Sequence, residues 1–361
     1  MPNVGDLGKN ANLANESAPQ QEHSRRGARR DRIGGRVRRF EIVLLSGAAV
    51  IGGLFAFSIL AARRIERLVP PQGDLMAVDG RLLHYLDKGA GPPIVLIHGL
   101  GGQMGNFTHS LVDRLSRDFR VVAFDNPGSG YTPRRAGSPA GVRAQADALA
   151  RAIRALNLGR PVVVGHSLGG AIALALALDH PDSVGALALI APLTHPLRRA
   201  PLVFQGLAIR SPLLRRLLYW TVATPGYLMA RNWAFRRIFA PETPPPDFGR
   251  NGGGLLAMRP GSINAASEDL NAVNEDLVAM TPCYGEIAVP IGILFGRDDK
   301  LLNRREQAET IKAAIPSLDL ELIPGGHMLP VTCPDATAAF IARMAGKVLP
   351  NEKTERIASV Q

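Results

Sequence analysis

The chain has 361 residues, of which 46% are hydrophobic, so it can bury a large core and is longer than one ordinary domain requires. Its formal net charge is +11 at pH 7, yet aromatic residues make up only 5% and no zinc-finger, RNA-binding or basic heptad pattern occurs. These features argue against nucleic-acid binding. The two cysteines lie outside any C-x-x-C or histidine-rich cluster, which excludes a structural zinc site.

Residues 1–39 contain eight arginines, all between positions 25 and 39, and few large apolar side chains. Such a composition cannot offset the entropy lost on ordering. We therefore expect a disordered basic N-terminal tail.

An uncharged run of 21 residues follows, from Ile42 to Ala62. At about 1.5 Å per residue a helix of this length crosses a hydrocarbon layer of about 30 Å. We predict a transmembrane helix over residues 40–63 and a linker over 64–73. The excess of arginine upstream places the N-terminus in the cytoplasm and the rest of the chain in a bacterial periplasm. A cleaved signal peptide is the alternative, although its apolar region is usually only about 7–15 residues long.

From Asp74 onward, short apolar runs alternate with Ala/Leu-rich helical patterns. The segment Asp74–Asp87 predicts a hairpin that turns at Asp79 and Gly80. Further strands are predicted at Ile94–His98, Arg120–Phe124, Val162–Val164, Val184–Ile190, Ile291–Phe295 and Leu318–Ile323. Helices are predicted at Ser110–Ser116, Gly141–Leu156, Leu168–Leu178, Arg304–Ile315 and Pro334–Val348. This alternation is typical of a mainly parallel sheet with helices on both faces.

The alternation is interrupted between Pro192 and Val289, a stretch too long for a plain loop. We therefore divide the α/β core into residues 74–192 and 286–350. Residues 193–285 are predicted to form an inserted helical subdomain, and residues 351–361 a C-terminal tail.

Gly165-His166-Ser167-Leu168-Gly169 fits the pattern G-x-S-x-G, and it lies between a predicted buried strand and a predicted helix. A nucleophile in this position occupies a strained turn, and small residues on either side let strand and helix approach closely. Ser167 is therefore the candidate nucleophile.

A serine nucleophile needs a base, because a free hydroxyl is barely ionised at neutral pH. Six of the eight histidines lie at positions where a structural role is the simpler interpretation, which leaves His98 and His327 as candidate bases. His327 follows the last strand at the predicted ligand-binding edge of the sheet. A carboxylate must orient the imidazole. Asp298 and Asp299 both follow the strand Ile291–Phe295, and position alone leaves both open.

The segment from about Asp74 to Val348 resembles the cap-bearing serine hydrolases of the α/β-hydrolase superfamily (AB hydrolase-1-like domain). The matching motifs are HGLGG (98–102), DNPGSGYT (125–132), GHSLGG (165–170), FGRDD (295–299) and GGH (325–327). The resemblance implies that the acid is Asp299 and that His98 is structural, leaving His327 as the base. Serine at position 167, where haloalkane dehalogenases and epoxide hydrolases have aspartate, implies acyl chemistry.

An acyl-transferring serine also needs two backbone N–H groups that face the developing oxyanion. We expect them from Leu168, directly after the nucleophile, and from Leu100. We expect His98, Gly99, Gly165 and Gly169 to support the nucleophile and these two amides. Met104 occupies the last glycine position of G-x-G-x-x-G, so dinucleotide binding is not predicted, and neither a metal nor an organic cofactor is expected.

In cap-bearing relatives, the inserted segment covers the active site as a lid. Its first half here contains eight arginines and no acid, interleaved with leucine and aromatic residues. These arginines are Arg198, Arg199, Arg210, Arg215, Arg216, Arg231, Arg236 and Arg237. They either surround an apolar lid as solvated charges or form a surface that rests on anionic lipid headgroups.

Together these features predict a membrane-anchored serine hydrolase that cleaves an ester or related acyl compound through Ser167, His327 and Asp299. The expected partners are a small apolar acyl substrate and, through Ile42–Ala62, the lipid bilayer. Carbon–carbon bond hydrolysis and perhydrolysis on the same three residues are alternatives. A non-catalytic binding protein that retains the fold is the alternative from another functional class.

Overall fold

The computed structural model describes residues 18–135 and 137–348. The predicted C-terminal tail and the first 17 residues of the predicted N-terminal tail lie outside the described residues. The chain divides into two compact units, with the boundary between Phe55 and Ala56.

The first element, α1, is a helix of 51 residues that runs from Ala18 to Leu68. It therefore includes residues 18–39, which we expected to be disordered, and part of the expected linker. Helix propagation costs far less than nucleation, and arginine is a good helix former, so a helix nucleated in the apolar run extends into its basic flanks. An 18-residue stretch within Phe40–Leu68 has a mean hydropathy of 2.3, and this portion is long and apolar enough to cross a membrane.

Eight strands form one sheet in the order β1-β2-β4-β3-β5-β6-β7-β8. The antiparallel strands are β1 (Asp74–Val78) and β2 (Arg81–Lys88), joined at a turn where Asp79 and Gly80 both have positive φ. The parallel strands are β3 (Pro93–Ile97), β4 (Arg120–Phe124), β5 (Val162–His166), β6 (Ala186–Ile190), β7 (Ile291–Gly296) and β8 (Asp319–Ile323). The predicted mainly parallel sheet is confirmed.

Helices cover both faces of this sheet, as predicted. They are α2 (Gly105–Thr108), α3 (Val112–Leu115), α4 (Val142–Ala155), α5 (Leu168–Asp179), α9 (Thr310–Ala314), α10 (Leu329–Thr332) and α11 (Pro334–Gly346). Successive residues of a strand face opposite layers. Val95 packs with α4 and α5, whereas Ile94 packs with α3 and α11. The helix expected at Ser110–Ser116 is present as the shorter α3, whereas α2 before it, with buried Phe107, was not predicted.

The insertion between β6 and β7 is helical, as predicted. Its longer helices are α6 (Pro212–Leu218), α7 (Thr224–Phe239) and α8 (Pro260–Met280), and α6 continues into a π-helical turn at Tyr219–Ala223. Short 3₁₀ helices lie at Leu202–Leu207, Leu256–Met258 and Thr281–Glu286.

The last turns of α1 belong to the second compact unit and pack on its insertion. Ile65 is buried in a cluster with Leu256 and Met258, and the Ser58 hydroxyl donates to the carbonyl of Thr221 at 3.1 Å. Other contacts of this helix end are an ion pair of 2.9 Å between Glu66 and Arg259 and a hydrogen bond from the Tyr131 hydroxyl to the carbonyl of Val69. Residues 64–69 are therefore packed structure and not a free linker.

Candidate active site

Ser167 occupies the sharp turn between β5 and α5. Its φ of +55° and ψ of −119° lie in a region that a residue with a Cβ rarely adopts. A Cβ at Gly165 would overlap the carbonyl oxygen of Gly169, and a Cβ at Gly169 would overlap that of Ile97. The two glycines are therefore required because strand and helix approach within backbone contact distance, which leaves the serine at the apex of the turn.

His327 and Asp299 form a buried pair beside this turn. The distance from His327 Nδ1 to Asp299 Oδ2 is 2.7 Å, and the side chains are 5% and 1% exposed. The other carboxylate oxygen accepts the backbone amides of Leu301 at 2.8 Å and Leu302 at 3.0 Å. Burial raises the pKa of Asp299, but the charge of His327 and these hydrogen bonds outweigh it, so the net pKa lies below its ordinary value.

Asp298, the other acid that position left open, does not contact His327. It is exposed, and its Oδ2 lies 3.5 Å from the amide nitrogen of Gly325. Asp299 is therefore the acid that contacts the histidine, whereas Asp298 contacts the loop after β8.

A small cavity joins the predicted site residues. Ser167, His327, Leu100 and Leu168 line it, and its remaining wall is apolar, with Leu193, Leu197, Pro201, Phe204, Leu270 and Val273 coming from the insertion or its entry. The cavity volume is about 30 Å³, which is the space of roughly one water molecule. The insertion therefore covers the serine closely.

The two residues expected to supply the oxyanion amides, Leu100 and Leu168, both line this cavity. Leu168 is the first residue of α5, where a helix N–H has no intrahelical acceptor. Leu100 follows Gly99, whose position tolerates no side chain because a Cβ there would lie 2.9 Å from the Cβ of Ser167.

His98 holds neighbouring loops together and does not line the cavity. Its Nδ1 donates to the carbonyl of Gly99 at 2.8 Å, and its Nε2 accepts the amide of Asn126 at 3.0 Å. Burial lowers the pKa of His98 below its ordinary value, although nearby Asp125 opposes the effect. The neutral ring satisfies both contacts, in keeping with a structural role.

Asp125 is a buried structural acid that sequence reasoning did not single out. Its Oδ1 accepts the amide of Met104 at 2.8 Å, and its Oδ2 accepts that of Tyr131 at 2.8 Å and lies 2.6 Å from His84 Nδ1. This carboxylate connects the loop after β3 to the loop after β4. The signal was available in DNPGSGYT, where an acid directly follows a buried strand.

Two further residues beside His327 were also missed. His166 is buried, its Nε2 donates to the carbonyl of His327 at 3.0 Å, and burial together with the His327 charge lowers its pKa to about 3. Glu242 of the insertion accepts the amide of Gly326 through Oε1 at 2.9 Å. The only sequence signal for Glu242 is that it is the first acid after an acid-free stretch from Ser183 to Pro241.

Comparisons with known proteins agree with this architecture. A family model described as alpha/beta hydrolase fold matches residues 92–332. A protein of Caulobacter sp. (strain K31) named "Putative carbamate hydrolase RutD" is 30% identical over 267 residues, covering 70% of this chain and 91% of that protein.

Two solved structures are also similar. A thermophilic esterase from Thermogutta terrifontis has 22% identity and a TM-score of 0.62, covering 77% of this chain and 99% of that one. A bacterial membrane phospholipase A has 25% identity and a TM-score of 0.56, covering 86% and 99%. By its sheet topology, its serine turn and the matched family model, this chain belongs to the α/β-hydrolase family.

Proposed function

We propose that the protein is a serine hydrolase that cleaves an ester or a related acyl bond. The observation that carries this proposal is the buried His327–Asp299 pair at 2.7 Å, whose histidine lines one apolar cavity with Ser167. In the proposed reaction Ser167 is the nucleophile, His327 the base and Asp299 the residue that orients the imidazole.

The catalytic cycle follows from these positions. Asp299 accepts from Nδ1 of His327, which leaves Nε2 to take the proton of the Ser167 hydroxyl as the oxygen attacks the substrate carbonyl. The amides of Leu100 and Leu168 stabilise the resulting oxyanion. His327 then protonates the leaving group, and a water that it activates hydrolyses the acyl-enzyme and frees Ser167.

The cavity favours an apolar acyl group. Its wall residues are predominantly leucine, phenylalanine and valine, but about 30 Å³ is far below the roughly 300–1,000 Å³ of small-molecule sites. The helical insertion therefore acts as a lid that moves to admit substrate. Carbamate cleavage, suggested by the relative from Caulobacter, uses the same attack on a carbonyl and is the second candidate.

The same proposal places the enzyme on a membrane, with Ile42–Ala62 as the span, the N-terminus in the cytoplasm and the hydrolase unit in the periplasm. The length and hydropathy of Phe40–Leu68 support the span, and the similarity to a bacterial membrane phospholipase A is consistent with it. Alkaline carbonate extraction of cell membranes tests the anchor. An anchored chain stays in the membrane pellet, whereas a chain cleaved after its apolar segment is released and runs shorter on a gel.

An ester chain-length series on the wild type and Ser167→Ala tests the chemistry. We expect the substitution to lower kcat by about 10³-fold or more, because a triad member acts as part of one unit. Phenyl carbamates and ring-cleavage diketones in the same panel separate acyl-ester, carbamate and carbon–carbon hydrolysis. Absence of fluorophosphonate labelling at Ser167 in the folded wild type would show that the serine is not an activated nucleophile and would favour a non-catalytic binding protein.

A further inference from the structure

A second, larger groove lies between the last turns of α1 and the insertion. It has a volume of about 840 Å³, within the range of small-molecule sites, and it shares no lining residue with the Ser167 cavity. Its walls come from α1, from α7 and from the proline-rich segment 243–250.

Part of the groove lining is apolar. Phe57, Leu60 and Leu68 line the groove from α1 at helical spacing, and Phe235 lines it from α7. Phe57 is 47% exposed and Leu60 is 62% exposed. Both residues belong to the uncharged run that we propose to span the membrane, so these two side chains lie at the depth of acyl chains.

The groove lining also includes basic side chains. Arg64 of α1, Arg231 and Arg236 of α7, and Arg250 of the following segment are exposed lining residues. None of these four forms an ion pair with a carboxylate in the part of the chain that the structure describes. By contrast, other arginines of the insertion, such as Arg215 and Arg259, pair with glutamates. The four charges are therefore available to an external anion.

Among the described lining residues, Asp247 is the one acid, and its carboxylate is already engaged. Its Oδ2 accepts from Asn251 at 2.8 Å, and its Oδ1 lies 3.2 Å from Nε2 of His109. The groove thus combines apolar side chains, an excess of positive charge and a location where the uncharged run gives way to charged residues. Arginine guanidinium groups bind phosphate oxygens in a bidentate manner, and basic pockets beside membrane helices bind anionic headgroups.

We propose that this groove binds an anionic phospholipid of the surrounding membrane, with an acyl chain against Phe57 and Leu60 and its phosphate on the four arginines. The inference rests on the membrane location given under the proposed function. Because the groove is separate from the Ser167 cavity, this lipid is a bound structural ligand and not a substrate. It joins α1 to α7 of the insertion.

Native mass spectrometry of the full chain in dodecyl maltoside tests the site, with phosphatidylglycerol or phosphatidylcholine of identical acyl chains as probes. We expect the wild type to retain phosphatidylglycerol about tenfold better than phosphatidylcholine. A groove variant that combines Arg231→Gln, Arg236→Gln and Arg250→Gln should lose this preference. The matched control combines Arg198→Gln, Arg199→Gln and Arg210→Gln, which removes the same charge from exposed insertion residues outside the groove and should keep the preference.

A second variant, Ala61→Trp, fills the groove without changing any charge and should also reduce lipid retention. Thermal unfolding of each variant checks that the fold is intact. Equal loss of retention in the groove and control variants, or retention unchanged in the groove variant and in Ala61→Trp, would overturn the proposal. Ser167→Ala separates the two proposals, because it should abolish hydrolysis and retain phosphatidylglycerol. A hydrolase without lipid preference refutes the groove alone, whereas lipid preference without hydrolysis refutes the activity alone.

Discussion

Ser167→Gly should make the protein inactive but more stable than Ser167→Ala. Both changes remove the hydroxyl, but alanine keeps the Cβ that makes φ of +55° and ψ of −119° unfavourable. Glycine adopts positive φ at little cost. The comparison therefore isolates the conformational strain stored at the turn.

The expected magnitude follows from two opposing terms. A non-glycine residue in a sparsely populated backbone region costs about 1–3 kcal/mol, which the glycine variant recovers. Glycine also gains freedom in the unfolded chain, which costs about 0.5–1 kcal/mol. The net gain of Ser167→Gly over Ser167→Ala is then about 1 kcal/mol, or about 2 °C in Tm for a unit of this size.

The assay is thermal unfolding of the two variants and the wild type in the same detergent, with ester hydrolysis measured in parallel. Ser167→Ala should unfold close to the wild type, since it keeps the same backbone strain. A glycine variant that melts at or below the alanine variant would refute the idea that strain is stored in this turn.

Three further outcomes are expected. Gly169→Ala should destabilise the fold by about 3 kcal/mol or more, or prevent soluble expression, because the added Cβ would overlap the β3 backbone. The control Gly261→Ala should leave Tm within about 1 °C, because a Cβ at Gly261 would face open space. Glu242→Ala should lower kcat about tenfold with little change in KM. Glu242→Gln should restore kcat, because the side-chain oxygen of glutamine can accept the amide of Gly326 as that of glutamate does. Equal kcat in the wild type and both variants would contradict a positioning role for Glu242. Because the pKa of His166 falls from 6.5 to about 3 on folding, the unfolded chain binds more protons between these values, so wild-type stability should fall as pH drops through this window. Between pH 7 and pH 4, the urea denaturation midpoint of His166→Asn should fall less than that of the wild type. An identical dependence of the midpoint on pH in the two proteins would argue against a neutral buried imidazole at position 166.

Most of the parallel strands were predictable because they are buried on both faces and therefore form continuous apolar runs, whereas the edge strand β8 is half-buried and contains Asp319 and Glu321. Val162–His166 and Ile291–Gly296 show this pattern, and their bounds agree with prediction within two residues. Helix ends were less predictable. The apolar run Ile42–Ala62 predicted the existence of α1. The residues at which α1 begins and ends depend on cooperative propagation and on tertiary contacts such as that of Glu66 with Arg259.

At the candidate site, local patterns were enough for the serine turn and the histidine loop, but not for contacts between distant segments. The choice between Asp298 and Asp299 depended on the family pattern, because adjacent residues differ only in which way their side chains point. Glu242 lies 84 residues before Gly326, and only the folded path of the insertion brings them together. No spacing rule connects an insertion of this kind to the core.

The packing of Ile65 and Val69 on the second compact unit limits where the chain can be cut without loss of stability. A protease that cut after Val69 would remove buried side chains and the partner of Arg259. A cut before Ala56 would spare the fold but leave a stub that carries exposed Phe57 and Leu60. For the membrane location that we propose, proteolytic release would therefore yield a product that is either destabilised or carries exposed apolar side chains.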